Sequence, residues 1–317
     1  MRSLVSIVLA ASLSSCIGYE PSEFREPQHL SLALTEQFSY QRATPKYSEL
    51  DNEKKGNYTK RRVQLWYAAT SQNEFPTSIN LHWYHPQTEK PVPVILCLPL
   101  LNNSFNFEHR CASYFAEKGY AGLIIHTLDR ETSVATGRQL SRIFEESVHD
   151  HKRVIDWVET RQEFNGDIGI FGASAGGIKA TIITALEPRI DAAVIALAGA
   201  DIPDIIQHSS LSLIKKKTKD AREHDHLAQE QWYSKMREEL TLDPKYVASS
   251  INPEKVLFVQ ALFDSIVPTR NQEQLYRLMG NPERELFLSG HLTPLFFPGY
   301  IESRSHSFFK KKFNSEK

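Results

Sequence analysis

The segment 168–177 constrains the fold of this chain more than any other stretch. Apolar residues 168–171 predict a buried strand that runs directly into Gly172-Ala-Ser-Ala-Gly176, a Gly-x-Ser-x-Gly motif at the start of a predicted helix. Such a serine occupies a tight, strained turn that projects its hydroxyl above the sheet edge, and its neighbours must be small because strand and helix pass close together. The helix amino terminus also offers N–H groups to an oxyanion. We therefore interpret Ser174 as a nucleophile and the Ala175 N–H as an oxyanion donor; the alternative is a glycine-rich turn without catalytic function.

Short apolar runs alternate with helical patterns on both sides of this motif. Buried strands are predicted at 92–100, 121–128, 168–171, 192–197, 255–263 and 285–288, and helices at 106–118, 138–161, 175–186, 270–278 and 294–310. Upstream, 63–68 and 79–84 are β-rich runs that predict an antiparallel pair. Strands that alternate with helices at this spacing predict an α/β fold with a mostly parallel, doubly wound sheet.

Residues 202–250 interrupt the alternation. They are polar, helical in composition and without a strand pattern, so we interpret them as a helical insertion. The insertion contains the basic run 215–219, which acidic residues follow at once. A solvated helix of mixed charge is the simpler interpretation of this run, and a role at a membrane surface or in substrate access is the alternative.

The strand, Gly-x-Ser-x-Gly motif and helix resemble the nucleophile turn of the α/β-hydrolase superfamily, and the resemblance covers about residues 62–310. It implies that an acid and a histidine follow the nucleophile in that order. Asp264 ends the apolar strand and precedes Val267-Pro268, which is similar to the acid loop of the superfamily. Gly290-His291 is similar to its histidine loop. The alternatives are that Asp264 caps the next helix and that His291 is a surface histidine.

The resemblance also implies a mechanism and a lid. Asp264 would orient His291, His291 would take the proton of Ser174, and water would cleave the acyl-enzyme. The second oxyanion donor would come from the loop 99–103, which departs from the His-Gly or Gly-Gly pattern of many relatives. We assign it to the backbone of Leu101, with Leu100 as the alternative. Asn102 or Asn103 adds a side-chain donor or shapes the turn. Relatives place a cap where this chain has the insertion at 202–250.

The amino terminus has the profile of a signal peptide over residues 1–15: a positive charge, an apolar run and then small residues. Its end, Leu-Ser-Ser-Cys16, resembles the lipobox of bacterial lipoproteins, which implies lipidation of Cys16 and a stable lipid anchor. Plain secretion and an uncleaved anchor are the alternatives. An isoleucine, Ile17, rather than an aspartate follows Cys16. This pattern resembles that of lipoproteins sorted to the periplasmic side of the outer membrane. Residues 16–60 are then predicted to be a tether and an irregular amino-terminal extension.

The overall charge and the cysteine count narrow the possible partners. A formal net charge of −1, from 37 basic and 38 acidic residues, gives no electrostatic reason to expect nucleic acid. We expect no cofactor and no metal. Successive positions of a helix point about 100° apart, so the two histidines of His149-Asp150-His151 cannot chelate a metal together well. Cys97 and Cys111 are either small buried hydrophobic residues or a disulfide pair.

These observations favour an envelope-anchored serine hydrolase that acts on a small carboxylic ester. The nucleophile turn and the helix before it resemble the dienelactone-hydrolase and prolyl-oligopeptidase-related branches. Peptidases of that branch usually carry an upstream propeller domain, for which 17–60 is too short, so an esterase is preferred. A peptidase or acyltransferase with the same triad is the alternative within enzymes. A lipoprotein that keeps the fold as a binding module without turnover is the alternative from a different class.

Overall fold

The computed structural model describes residues 17–67, 78–101, 106–126, 136–296 and 298–314. The strands in these ranges are β1 (Ile17–Glu20), β2 (Lys46–Lys55), β3 (Tyr58–Trp66), β4 (Ser78–Pro86), β5 (Val92–Cys97), β6 (Ala121–Ile125), β7 (Phe164–Ala173), β8 (Ala192–Ala196), β9 (Val256–Ala261) and β10 (Glu283–Phe287). The helices are α1 (Leu32–Gln37), α2 (Phe107–Glu117), α3 (Gly137–Glu159), α4 (Ala175–Leu186), α5 (Ile202–His208), α6 (Ser212–Asp225), α7 (Gln229–Glu239), α8 (Pro244–Val247), α9 (Thr269–Leu278), α10 (Thr293–Phe296) and α11 (Pro298–Asn314).

These strands form one ten-stranded sheet in the order β1-β10-β9-β8-β7-β5-β6-β4-β3-β2. The run from β10 to β6 is parallel throughout, and β4, β3, β2 and β1 pair antiparallel at its two ends. The predicted mostly parallel sheet and the predicted β3–β4 pair are thus confirmed. The chain leaves β5 first toward β6 and then crosses back to β7, so a crevice opens between the carboxyl ends of β5 and β7.

Helices cover the sheet on both faces, as a doubly wound fold requires. On one face Phe115 of α2 lies 5.6 Å from Phe309 of α11 and 5.8 Å from Phe171 of β7, measured between ring centroids. On the other face Trp157 of α3 lies 5.5 Å from Trp83 of β4. All five side chains are buried, and Cys97 and Cys111 are buried free thiols rather than a disulfide.

The prediction of an irregular extension over 16–60 is wrong within its described part. Strands β1 and β2 lie there, and β3 begins there at Tyr58. Strand β1 pairs antiparallel with β10, and β2 pairs antiparallel with β3. Nearly every residue of β2 is exposed, so this strand has no buried face and no alternating apolar pattern. In the β1–β10 pair Glu20 lies opposite Arg284, which is 264 residues away in the sequence. Arg284 Nε donates to Glu20 Oε2 at 3.0 Å. The predicted signal peptide and Cys16 lie outside the described residues.

The insertion between β8 and β9 is helical, as predicted, and consists of α5 to α8. Helix α7 packs so closely on α3 that a Cβ atom at Gly137 would lie 2.4 Å from the carbonyl oxygen of Met236. The predicted last helix at 294–310 corresponds to the helical segments α10 and α11, on either side of residue 297, which lies outside the described residues. Within the described ranges, no helix is both long and apolar enough to span a bilayer.

Candidate active site

Ser174 lies on the turn between β7 and α4 in a conformation that only strong local constraints can hold. Its φ of 53° and ψ of −122° lie outside the regions that residues other than glycine normally occupy. Its N–H donates to the carbonyl oxygen of Ala196 at 2.8 Å, and its own carbonyl accepts from the N–H of Ile178 at 3.0 Å. The hydroxyl therefore stands above the sheet edge, at the amino terminus of α4.

Small residues around the turn are a steric requirement. A Cβ atom at Gly172 would lie 2.3 Å from the carbonyl oxygen of Gly176, and one at Gly177 would lie 2.7 Å from that of Ala196. A Cβ atom at Gly176 would lie 2.9 Å from the carbonyl oxygen of Pro99. These glycines let α4 approach three elements closely: the preceding strand β7, the neighbouring strand β8 and the loop that follows β5.

The structure brings Ser174, His291 and Asp264 together at one edge of the sheet. The distance from His291 Nε2 to Ser174 Oγ is 3.0 Å, and that from His291 Nδ1 to Asp264 Oδ2 is 2.6 Å. Both the histidine and the aspartate are buried. Because a carboxylate can only accept, Nδ1 carries the proton in this arrangement, and Nε2 is left to accept the hydroxyl proton of the serine.

Asp264 is held by four hydrogen bonds. Oδ1 accepts from the N–H groups of Ile266 and Val267 at 2.8 and 3.0 Å, and Oδ2 accepts from Gln272 Nε2 at 2.7 Å as well as from His291. The alternative of a helix cap is wrong, since α9 begins after Pro268 and has no side-chain cap. The alternative of a surface histidine is also wrong, since His291 is 6% exposed.

Gln272 is the site residue that the sequence analysis missed. It is fully buried, and its Nε2 donates to the carbonyl oxygen of Val267 at 2.8 Å as well as to Asp264. Its Oε1 accepts from the N–H of Ala261 at 3.3 Å. It lies three positions before Leu275 on the buried face of α9. A polar residue on the apolar face of a helix needs buried hydrogen-bond partners. The position of Gln272 on that face is the feature of the sequence that could have revealed it.

Substitution of Gln272 by methionine is expected to lower kcat about tenfold and to leave KM almost unchanged. The change keeps the volume but removes one of the donors to the ionised carboxylate that orients the histidine, a bond worth roughly 1.5–3 kcal/mol. The matched control is Gln274→Met, on the exposed side of the same helix. Steady-state kinetics on a soluble ester measure the effect. Equal kcat values for the two variants would show that Gln272 does not position Asp264.

The two predicted oxyanion donors line the same cavity as Ser174. Ala175 is the first residue of α4, a position whose N–H has no partner within the helix, and Leu101 ends the described part of the loop after β5. Ala175, Leu100 and Leu101 line the same cavity as Ser174 and His291. Asn102 and Asn103 lie outside the described residues. The donor role of Ala175 and Leu101 stays a prediction.

A cavity of about 380 Å³ opens at the Ser174 hydroxyl, between the sheet edge, α3, α4 and the insertion. Its wall is almost wholly apolar, with side chains from α3, α5, α6 and α7: Leu140, Ile143, Phe144, Ile202, Ile205, Ile206, Leu213, Ile214, Trp232 and Met236. Its charged side chains are Lys179 and Lys217, and none of the described residues that line it is an aspartate or glutamate. The insertion thus forms the roof of the cavity, which is the arrangement expected of a cap.

Comparison with protein families gives one match, to the family described as X-Pro dipeptidyl-peptidase (S15 family), over residues 76–245. The matched region contains Ser174 and most of the insertion but ends before Asp264 and His291. The proposed roles of these two residues therefore depend on the geometry given above. No curated protein sequence matches the chain.

Solved structures resemble the whole described domain. The acetyl xylan esterase of Paenibacillus sp. R4 is 17% identical with a TM-score of 0.63, over 94% of this chain and 98% of that one. Acetyl xylan esterase 1 of Thermoanaerobacterium sp. JW/SL YS485 is 15% identical, also at 0.63, over 90% and 96%. A putative dienelactone hydrolase of Klebsiella pneumoniae is 15% identical at 0.51, over 78% and 98%. At such identities the likeness concerns the fold, and it confirms the predicted α/β-hydrolase fold.

Proposed function

This chain belongs to the X-Pro dipeptidyl-peptidase (S15) family of serine hydrolases, and from that premise we propose that it hydrolyses carboxylic esters with an apolar acyl chain longer than acetyl. The observation that carries the proposal is the apolar cavity of about 380 Å³ that opens directly at the Ser174 hydroxyl. Ligand pockets of roughly this size bury most of a small apolar ligand. The acyl chain would lie in the cavity, and its carbonyl carbon would lie within reach of the serine oxygen.

The reaction follows from the hydrogen bonds of the site. Ser174 Oγ attacks the acyl carbonyl while His291 Nε2 takes its proton, and Asp264 stabilises the imidazolium that forms. The N–H groups of Ala175 and Leu101 stabilise the oxyanion of the tetrahedral intermediate. His291 then returns the proton to the departing alcohol oxygen. Water, deprotonated by the same histidine, cleaves the acyl-enzyme and releases the carboxylic acid.

The charges in the cavity favour an ester over an X-Pro peptide. An enzyme that releases X-Pro dipeptides must accommodate the ammonium group of a peptide amino terminus, which is largely protonated at neutral pH. The cavity offers the cations Lys179 and Lys217, and no carboxylate among its described residues. Burial of an ammonium group is unfavourable where the described lining residues offer it no carboxylate partner. An aliphatic acyl chain meets no such penalty.

We also propose that the enzyme is anchored by lipid at Cys16 to the periplasmic side of a bacterial outer membrane. The support is the signal-peptide profile of residues 1–16 and the Leu-Ser-Ser-Cys motif at its end. Metabolic labelling with a fatty acid analogue tests the anchor in cells that express the full chain. Label in the parent but not in Cys16→Ser supports lipidation, and label in neither means that the chain is secreted or anchored in another way.

The acyl preference is expected to show in a series of p-nitrophenyl esters. From acetate to butyrate to octanoate, kcat/KM should rise by about fourfold for each methylene group that enters the cavity. Glycyl-prolyl p-nitroanilide should react far more slowly than any of these esters. A profile that peaks at acetate, or a faster anilide, would contradict the proposal and favour a small-acyl esterase or a dipeptidyl-peptidase.

Filling the cavity provides a second test of the acyl site. The variant Ile214→Trp is expected to lower kcat/KM for octanoate about tenfold relative to acetate, because the indole occupies the space of the distal methylenes. Leu50→Trp, on the exposed edge strand β2, is the matched control and should leave the ratio of the two rates unchanged. An unchanged ratio in Ile214→Trp would place the acyl chain outside this cavity.

A further inference from the structure

Three large apolar side chains are exposed on the loops that carry Asp264 and His291. Phe263, Leu288 and Leu292, here called the rim, are 70%, 48% and 45% exposed. Phe263 directly precedes Asp264, Leu288 directly follows β10, and Leu292 directly follows His291. The N–H of Phe263 donates to the carbonyl oxygen of Ser289 at 3.0 Å, which joins the two rim loops. Leu292 also lines the cavity, so the rim continues into the acyl site.

A basic segment of the cap lies next to this rim. Ser210 is joined to Ser265 by a backbone hydrogen bond of 2.8 Å and by a contact of 2.8 Å between their hydroxyl oxygens. The helix α6 that starts just after this junction contributes Lys217 to the cavity wall and exposes Lys215 and Lys216. The cavity wall therefore includes the apolar Leu292 and the cation Lys217, and Lys215 and Lys216 are exposed on the same helix as Lys217.

The chain also enters the domain at this edge. Ile17 pairs with Phe287 in the antiparallel β1–β10 ladder, so the described chain begins beside the last residue of β10, next to Leu288. Side-chain hydrogen bonds from Arg284 to Glu20 hold β1 against β10. Arg284 also donates a hydrogen bond to the carboxylate of Glu273 at 2.8 Å. A lipid on Cys16, as proposed above, would thus be attached one residue before Ile17, whose pairing partner Phe287 directly precedes Leu288. It would not be separated from the rim by a long tether.

We propose that the rim docks on an anionic lipid bilayer and that the enzyme takes its acyl-ester substrate directly from that bilayer. This inference rests on the proposed esterase function and names its substrate class. The rim side chains would enter the boundary between headgroups and acyl chains, and Lys215 and Lys216 would lie near anionic headgroups. A substrate acyl chain would then pass from the lipid past Leu292 into the cavity without exposure to water.

Vesicle binding tests the docking surface without depending on catalysis. The protein is the full chain with Cys16→Ser, so that lipidation cannot supply the binding, and the vesicles are phosphatidylethanolamine with phosphatidylglycerol. When this protein also carries Phe263→Ser and Leu288→Ser, its partition coefficient in a flotation assay is expected to fall by about tenfold or more. The matched control carries Phe24→Ser and Leu32→Ser, which are 58% and 80% exposed outside the rim, and should bind like the parent. Vesicles of phosphatidylcholine alone should bind the parent several-fold less, because they lack anionic headgroups.

A second readout separates this inference from the esterase proposal. The Phe263→Ser, Leu288→Ser variant should hydrolyse soluble p-nitrophenyl butyrate at the parent rate and a vesicle-embedded p-nitrophenyl octadecanoate at least about tenfold more slowly. A parent that hydrolyses butyrate but does not float with anionic vesicles, or a rim variant that binds like its control, would overturn the docking surface and leave the esterase intact. Self-association of the parent through the rim, seen as a dimer that the rim variant loses, would also overturn it. A parent inactive on every soluble ester would instead refute the proposed function.

Discussion

Replacement of Ser174 by alanine is expected to lower kcat for p-nitrophenyl butyrate by roughly 10⁵-fold or more, to the level that binding and oxyanion stabilisation alone can sustain. In the proposed mechanism Ser174 Oγ forms the acyl-enzyme, and His291 Nε2 lies 3.0 Å from that oxygen. A water molecule in place of the hydroxyl could attack the ester, but no acyl-enzyme would form. A fluorophosphonate probe should label the parent and fail to label the variant, since only an activated serine reacts.

The control for this prediction is Ser303→Ala, at an exposed position of α11 outside the site, which should be labelled like the parent. Circular dichroism should show both variants folded, because loss of one hydroxyl opens no large cavity. If Ser174→Ala is labelled, another nucleophile carries the chemistry. If the parent is not labelled either, the hydroxyl is not activated and the fold serves as a binding module without turnover.

Substitution of Gly172 by alanine is expected to lower kcat/KM by about 100-fold or more and the melting temperature by roughly 5 °C or more. The new methyl carbon would lie 2.3 Å from the carbonyl oxygen of Gly176, so α4 must move away from β7. Because α4 carries Ala175 and follows Ser174 directly, the movement misplaces the nucleophile and one proposed oxyanion donor together. Thermal unfolding and steady-state kinetics measure the two effects.

The matched control is Gly299→Ala in α11, where an added Cβ atom meets no heavy atom within 4 Å. This substitution should leave activity unchanged and stabilise the protein slightly, because alanine restricts the unfolded chain more than glycine does. A Gly172→Ala variant as active and stable as this control would show that the turn tolerates a side chain. The steric argument for the Gly-x-Ser-x-Gly motif would then fail for this chain.

Much of the candidate site could be predicted because its signals are local. A strand, a small-residue turn and a helix follow one another without interruption at Ser174, and the sequence of residue types is itself the structure of that turn. Asp264 and His291 lie in the loops that follow the strands β9 and β10, and a parallel sheet places such loops at one edge. Their order along the chain and the resemblance to the α/β-hydrolase superfamily then indicated which aspartate and which histidine belong to the site.

Other features had no local signal. Strand β2 is exposed on both faces, and β1 has only four residues, so neither shows the periodicity that marks a buried element. Gln272 could be read only as a polar residue on a helix face, because its partners Asp264 and Ala261 come from a loop and a strand. The cavity is built by side chains from helices far apart in the chain, and its volume depends on how closely these helices pack.

Neighbours along the chain specify the alternation of strands and helices, the Gly-x-Ser-x-Gly turn and the residues able to form a triad, so all three could be inferred from residue order. The pairing of β1 with β10, the hydrogen bond from Gln272 to Asp264 and the apolar cavity under the cap became visible only in the folded chain. The physical reason is that periodicity reports which face of an element is buried but not which partner buries it. Pairing and cavity shape result from long-range packing.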